Sequence, residues 1–180
     1  DGSASSRAAL EQEMAGRGRN LKDLFTKFAI CNYTREWDVS GLLNKKPYSY
    51  VDEQTLGIMT TVARTASSNT LPFSGSSSVN SYGSRYFELT VPATQRCTVI
   101  GVRAESDGGP VGFAAVGVDE GGKVVALRQE ITEDFGASFF TSPSQKLTRL
   151  ALVVAGHESG EAFDYSFGAG SPKVEIVRPT

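Results

Sequence analysis

After residue 82 the chain alternates between apolar and polar side chains, as strands with one buried and one solvated face require. Phe163, Tyr165 and Phe167, for example, alternate with Asp164 and Ser166. Eight segments have this extended character: Arg85–Val91, Cys97–Ala104, Gly112–Asp119, Lys123–Ile131, Ala137–Thr141, Leu147–Ala155, Ala162–Gly168 and Lys173–Arg178. Their spacing predicts a mainly β fold, an antiparallel β-sandwich of jelly-roll or immunoglobulin-like outline.

Glycine-containing turns separate several of these segments. Asp119–Gly122 and Asp107–Pro110 both carry paired glycines, which supply the positive φ angles that tight hairpins demand. No strand pattern alternates with a long helix, so a doubly wound parallel sheet is disfavoured.

The N-terminal part predicts a helical appendage. A short helix is expected over Ser5–Met14, and a stronger one begins near Asn20, with Asp23 in its first turn. Four apolar residues of the second helix lie at i, i+3, i+4 and i+7, which makes one stripe that we expect to be buried. The stripe consists of Leu21, Leu24, Phe25 and Phe28, with Ala29 behind it.

These patterns divide the chain into three parts. Residues 1–63 form a helical lead-in followed by an aromatic-rich loop, and residues 82–180 form the β-sandwich domain. Residues 64–81 are dominated by Ser, Thr, Asn and Gly, which predicts a tether crossing the surface, with Leu71–Phe73 pinned into the core.

Composition excludes two classes of partner. The chain has 18 basic and 20 acidic residues in no long block, so it lacks the basic face that nucleic acid needs. Its longest apolar stretches, Val111–Val118 and Leu147–Ala155, are far below the roughly 20 residues that span a bilayer. Abundant Ser, Thr and Gly, with one Trp and one His, are typical of an extracellular β-domain.

Motifs for catalysis are incomplete. His157 begins a His-Glu sequence, but the second histidine of a zinc-hydrolase motif is missing. A serine or cysteine nucleophile would have to use the same His157, and no Gly-x-Ser-x-Gly elbow is present. We expect an exposed turn histidine and no catalytic residue.

Metal sites are equally weak in the sequence. Two sets of acidic residues near turns could supply oxygen ligands for Ca²⁺, but neither forms an Asp-x-Asp-x-Asp-Gly loop. The sets are Glu130, Glu133 and Asp134, and Asp107, Asp119 and Glu120. No metal or other cofactor is therefore expected, with calcium as the open alternative.

Aromatic residues cluster in the irregular part of the chain: Trp37, Tyr48, Tyr50, Phe73 and Tyr82. Loops on a sandwich often bind ligands, and aromatic faces stack on sugars, so Trp37, Tyr48 and Tyr50 are candidates for ligand-facing residues. The favoured alternative is that these aromatics fill the interface between the helical appendage and the sandwich core.

The two cysteines, Cys31 and Cys97, allow one disulfide between the helical lead-in and the sandwich. Two buried thiols that behave as small apolar residues are the alternative.

Three segments carry a resemblance to a known family: Leu21–Arg35, Lys46–Glu53 and Tyr82–Val91. They resemble the C-terminal region of large secreted bacterial metallopeptidase-like proteins, loosely of the immune inhibitor A type. The resemblance implies an extracellular accessory domain downstream of a catalytic domain. It carries no catalytic residue over, because the zinc motif is absent from this sequence.

Two hypotheses follow from the sequence. The first is a non-catalytic extracellular accessory or binding module of a secreted multidomain protein, with a protein or a cell-surface glycan as its partner. The second is a structural subunit of a surface or filament assembly that self-associates through the helical arm or an open sheet edge. A hydrolase centred on His157 ranks third.

Overall fold

The computed structural model describes residues 2–35, 37–39, 64–67, 71–95, 99–140, 146–157 and 162–170. Within these residues there are two α-helices and nine strands, with a short 3-10 helix at Ala93–Gln95. The helices are α1 (Gly2–Gly16) and α2 (Leu21–Thr34). The strands are β1 (Arg64–Ser67), β2 (Phe73–Val79), β3 (Ser84–Thr90), β4 (Val99–Ser106), β5 (Val111–Asp119), β6 (Val124–Thr132), β7 (Asp134–Phe140), β8 (Leu147–Ala155) and β9 (Phe163–Gly170).

The strands form two sheets, in the orders β1-β3-β8-β5-β6 and β2-β9-β4-β7. All paired strands are antiparallel except β1, which runs parallel to β3. From β2 to β9 every connection passes to the opposite sheet except the β5–β6 hairpin, which is the path of an eight-stranded jelly roll. The predicted sandwich is confirmed, and of the two outlines that the sequence left open the strand order is that of the jelly roll.

Seven of the eight predicted extended segments coincide with strands β3 to β9, and the eighth, Lys173–Arg178, lies outside the described residues. The predicted turn between β5 and β6 is also present. Gly122 has a φ of 78° there, and the Asp119 carboxylate accepts hydrogen bonds from the backbone N–H of Gly121 and Lys123. The turn chemistry therefore sets the hairpin as the sequence predicts.

The segment 64–81 is not the tether that its composition predicted, because it contributes β1 and β2 to the two sheets. In β2, Phe73 and Val79 pack in the core between the sheets, while serines occupy most positions between them. A strand at a sheet edge tolerates this polar composition, since one of its sides faces solvent. Leu71 is buried, as predicted.

The central strands of the five-stranded sheet are covered on both faces. In β5, Phe113 and Ala115 belong to the core between the two sheets, whereas Ala114 and Val116 pack beneath α2. Eight of its nine residues are buried, which accounts for the nearly continuous apolar run at this position. The helix thus packs on the sandwich of its own chain.

Helix α2 begins as predicted, with the Asn20 side chain accepting a hydrogen bond from the backbone N–H of Lys22. Its buried face contains Ala29, Ile30 and Tyr33, which pack on β5 and β8. Neither helix in the described part of the chain is long and apolar enough to cross a membrane.

The apolar stripe predicted for α2 is only partly the buried face. Leu24 and Phe28 are 46% and 42% exposed, whereas Thr26 and Thr34 are buried. Both threonine hydroxyls donate hydrogen bonds within the helix, Thr26 to the Lys22 carbonyl and Thr34 to the Ile30 carbonyl. The helix is therefore rotated so that two polar side chains face the sheet and part of the stripe faces solvent.

Candidate functional site

His157 follows β8 and is buried, with 2% of its surface exposed, so the prediction of an exposed turn histidine is wrong. Its Nε2 lies 3.1 Å from Oγ1 of Thr26 on α2. Since the Thr26 hydroxyl donates to the Lys22 carbonyl, the geometry assigns Nε2–H of His157 as donor to Thr26. The Phe25 ring packs edge-on at 6.2 Å between centroids. The imidazole therefore joins α2 to the sheet.

Trp37 is half-buried just after α2. The guanidinium of Arg149, on β8, lies 5.0 Å from the centre of the indole ring, and Tyr33 packs at 6.5 Å between centroids. Arg149 thus occupies one face of this candidate aromatic. Tyr48 and Tyr50 lie outside the described residues, so the ligand-facing role of all three stays a prediction.

The Glu88 carboxylate on β3 joins the helix to the sheet. One of its oxygens accepts from the Tyr33 hydroxyl at 2.8 Å, and the other accepts from Arg149 at 2.8 Å. Near the start of α2, Asp23 accepts from the Gln129 amide of β6 at 3.0 Å. These bonds hold α2 at both ends.

Cys31 lies on the buried side of α2, where burial raises the pKa of its thiol from 9.0 to about 11. Cys97 lies outside the described residues, so the disulfide stays a prediction.

The acidic residues considered for calcium are engaged by the protein at several positions. Asp134 forms an ion pair with Arg103, Glu120 forms one with Lys146, and Asp119 accepts the two backbone bonds of its turn. Among the residues that the structure describes, no group of three or more His, Cys, Asp or Glu side chains could hold a metal ion. Calcium binding stays a prediction.

A polar groove of about 500 Å³ lies at the edge of the four-stranded sheet, where β2 pairs with β9. We call it the β2/β9 groove. Its lining consists of Ser76, Ser77, Ser78, Asp107, Asp164, Tyr165 and Ser166.

The register of the two strands sets the groove's polar array. Ser78 pairs with Asp164 and Ser76 pairs with Ser166, so four polar side chains point away from the core in two adjacent cross-strand pairs. Asp107 comes beside them because its backbone N–H donates to the Asp164 carbonyl at 3.0 Å. The carboxylates of Asp107 and Asp164 therefore share one opening with three serine hydroxyls, and no basic residue is among its described lining.

Ser166 is 7% exposed although it lies on the outward face of the sheet. Neither its hydroxyl nor the Asp164 carboxylate is engaged by a side-chain hydrogen bond found among the described residues. Both groups are therefore available to hydrogen-bond a ligand in the groove.

Tyr165 is among the lining residues of the groove, and its side chain is buried in the core between the sheets. Burial raises the pKa of its hydroxyl well above the ordinary value, and the neighbouring Ser77 hydroxyl and Arg85 charge lower it by smaller amounts. The phenol therefore stays neutral at physiological pH.

Sequence reasoning missed this groove because it assigned residues 64–81 to a tether. The signal that was available is the alternation around the serines. Phe73, Gly75, Ser77 and Val79 share one face of β2, and Ser74, Ser76 and Ser78 share the other. Pairing of this strand with β9, far away in sequence, then assembles the site.

Comparisons with known proteins give structural likenesses alone. No protein-family model matches the chain, and no curated protein matches it either. A mitogen from Yersinia pseudotuberculosis is similar with a TM-score of 0.43 and 10% identity, over 58% of this chain and 88% of that one. The pre-peptidase C-terminal domain of a Bacillus anthracis collagenase is similar with a TM-score of 0.41 and 16% identity, over 58% and 93%.

The VP2 subviral particle of infectious bursal disease virus is similar over 55% of this chain and 31% of that one, with a TM-score of 0.33 and 13% identity. At these identities and TM-scores the likenesses carry no argument about function, and the immune inhibitor A resemblance stays a prediction.

Proposed function

We propose that this chain is a non-catalytic accessory module of a secreted multidomain protein, which acts outside the cell by binding a protein or a cell-surface glycan. The burial of His157 is the observation that carries the proposal. The chain contains this single histidine, and the zinc, serine and cysteine hydrolase mechanisms all need it as a base or a metal ligand.

A general base must reach the proton that it removes, either directly or through one water. Nε2 of His157 is hydrogen-bonded to Oγ1 of Thr26. The imidazole ring packs between Phe25 and the backbone of Gly112. These contacts give His157 a structural role in the interface between α2 and the sheet.

Two further features support a binding module. The jelly roll leaves the β2/β9 groove open to solvent as a polar recess. The buried face of α2 is covered by the sandwich of the same chain, and hydrogen bonds of His157, Glu88 and Asp23 join the helix to the sheet. The helical arm therefore needs no second chain to cover that face.

Turnover assays test the proposal. The wild-type chain is incubated with fluorogenic peptide, ester and glycoside substrates, with and without added Zn²⁺ or Ca²⁺, beside a His157→Gln variant whose fold is checked by circular dichroism. The expected result is no turnover above a heat-inactivated sample for either protein. Turnover by the folded wild-type chain contradicts the proposal, whether or not the variant retains it.

A specific observation favours the second hypothesis, an assembly subunit. Leu24, Phe28 and Tyr82 are exposed side by side, with Phe25 contacting the rings of both Phe28 and Tyr82. A second copy of this chain is the partner for this apolar patch under the assembly hypothesis.

Light scattering over a wide concentration range separates the accessory module from the assembly subunit. The accessory module predicts a constant monomer mass, and the assembly predicts growth that Phe28→Ser abolishes.

A further inference from the structure

We propose that the β2/β9 groove binds a neutral carbohydrate through its serine hydroxyls and the Asp164 carboxylate. This inference rests on the proposed function, because it assigns a site and a ligand chemistry to the accessory module.

The hydrogen-bonding inventory of the groove defines its ligand. A carboxylate only accepts hydrogen bonds, whereas a serine hydroxyl both donates and accepts. A ligand that binds Asp164 and the surrounding serines must bring several donors together with acceptors. Neighbouring hydroxyls of a sugar ring do both.

Position and burial mark Ser166 as the centre of the site. Ser166 lines the recess, is 7% exposed as a whole residue, and lies between Ser76 of β2 and Glu105 of β4 in the sheet register. The Asp164 carboxylate stands two residues away on the same face. Together the two cross-strand pairs span roughly 5 Å across and 7 Å along the strands, which fits a single sugar ring.

Volume and charge disfavour other ligand classes. At about 500 Å³ the groove has the size of a small-molecule site and is much larger than one ion. Anions are disfavoured, because both charged lining residues, Asp107 and Asp164, are acidic. Apolar ligands are disfavoured because Tyr165, the one aromatic of the lining, is only 1% exposed.

The test is an NMR titration of the isotope-labelled chain. Cellotetraose, tetra-N-acetylchitotetraose and maltotetraose are added separately to about 10 mM, which populates a site of millimolar Kd. Calcium chloride alone and spermine alone are added in parallel. The proposal expects at least one sugar to shift the amide signals of residues 76–78, 107 and 164–166, with no comparable effect of Ca²⁺ or spermine.

Two variants and one control sharpen the result. Asp164→Asn removes a charged acceptor and is expected to weaken sugar binding about tenfold, and Ser166→Ala about threefold. Glu130→Gln changes an exposed carboxylate on β6, in the other sheet, and should leave binding unchanged. All variants are compared with wild type by thermal unfolding to verify that they fold.

The remaining outcomes contradict the groove assignment. Saturable shifts with Ca²⁺ or spermine would identify a cation site, and sugar shifts confined to other residues would place the glycan elsewhere while leaving the accessory module intact. Absence of shifts with all three sugars also overturns the inference. The turnover assays address the non-catalytic proposal separately.

Discussion

Nε2 of His157 and Oγ1 of Thr26 lie 3.1 Å apart and join the loop after β8 to helix α2. Both residues are almost fully buried. The hydrogen bond between them is therefore shielded from water, and breaking it leaves a buried polar group without its partner.

Replacing Thr26 with Val is expected to destabilise the fold by about 1 to 3 kcal/mol, because the shape is kept while the acceptor for His157 is lost. Urea unfolding at neutral pH measures the change. Thr90→Val, at an exposed position of β3, is the matched control and should change stability by less than about 0.5 kcal/mol. Equal stabilities for the two variants would show that the hydrogen bond contributes nothing.

Gly112 lies against this pair. A Cβ at position 112 would overlap Oγ1 of Thr26 and lie 2.6 Å from Nε2 of His157. Gly112→Ala is therefore expected to cost about 1 to 3 kcal/mol and to loosen α2, measured by denaturant unfolding and by hydrogen exchange of residues 26–34. At Gly136 a Cβ meets nothing within 4 Å, so Gly136→Ala is the control with the same chemistry. A Gly112→Ala variant as stable as this control contradicts the close packing.

The fold and the site differ in how far they can be predicted from sequence. The jelly-roll strands follow from alternation and from turns such as Asp119–Gly122, and the start of α2 follows from Asn20, because these signals are local. The orientation of α2 depends on His157, which comes beside Thr26 only through tertiary packing.

The β2/β9 groove was missed for a similar reason. Serines carry little hydrophobic signal, so β2 resembles a loop in sequence, and Ser76 meets Ser166 only when β2 pairs with β9. Residue pairs so distant in sequence cannot be brought together by local periodicity.

Trp37 is the single tryptophan, so its fluorescence reports on the contact with Arg149. Arg149→Ala removes the guanidinium from the indole face and the ion pair with Glu88, and the emission should move to longer wavelength as water reaches the ring. The loss of stability should stay near 1 kcal/mol, because Arg149 is about half exposed. Arg128→Ala, an exposed arginine on β6, should leave the emission unchanged. Identical spectra for the two variants would exclude the stacking contact.

Burial of Cys31 predicts a loss of stability in alkali. In reductant, the folded thiol has a pKa of about 11 against 9.0 for an ordinary one, so the folded state holds its proton more tightly than the unfolded state. This contribution is fully present below about pH 9 and is lost as the pH rises to about 11. Wild type should therefore lose up to about 2 to 3 kcal/mol more than Cys31→Ala across this window. Parallel pH profiles of unfolding free energy would contradict the assignment.

Carbethoxylation of His157 by diethyl pyrocarbonate, located by peptide mass spectrometry, measures directly whether the imidazole is buried, because the chain has a single histidine. The imidazole of the native chain is expected to react at least about tenfold more slowly than that of the urea-unfolded chain, since reaction requires local opening of α2. Equal rates in the two states would show an accessible imidazole and would contradict the structural role on which the non-catalytic proposal depends.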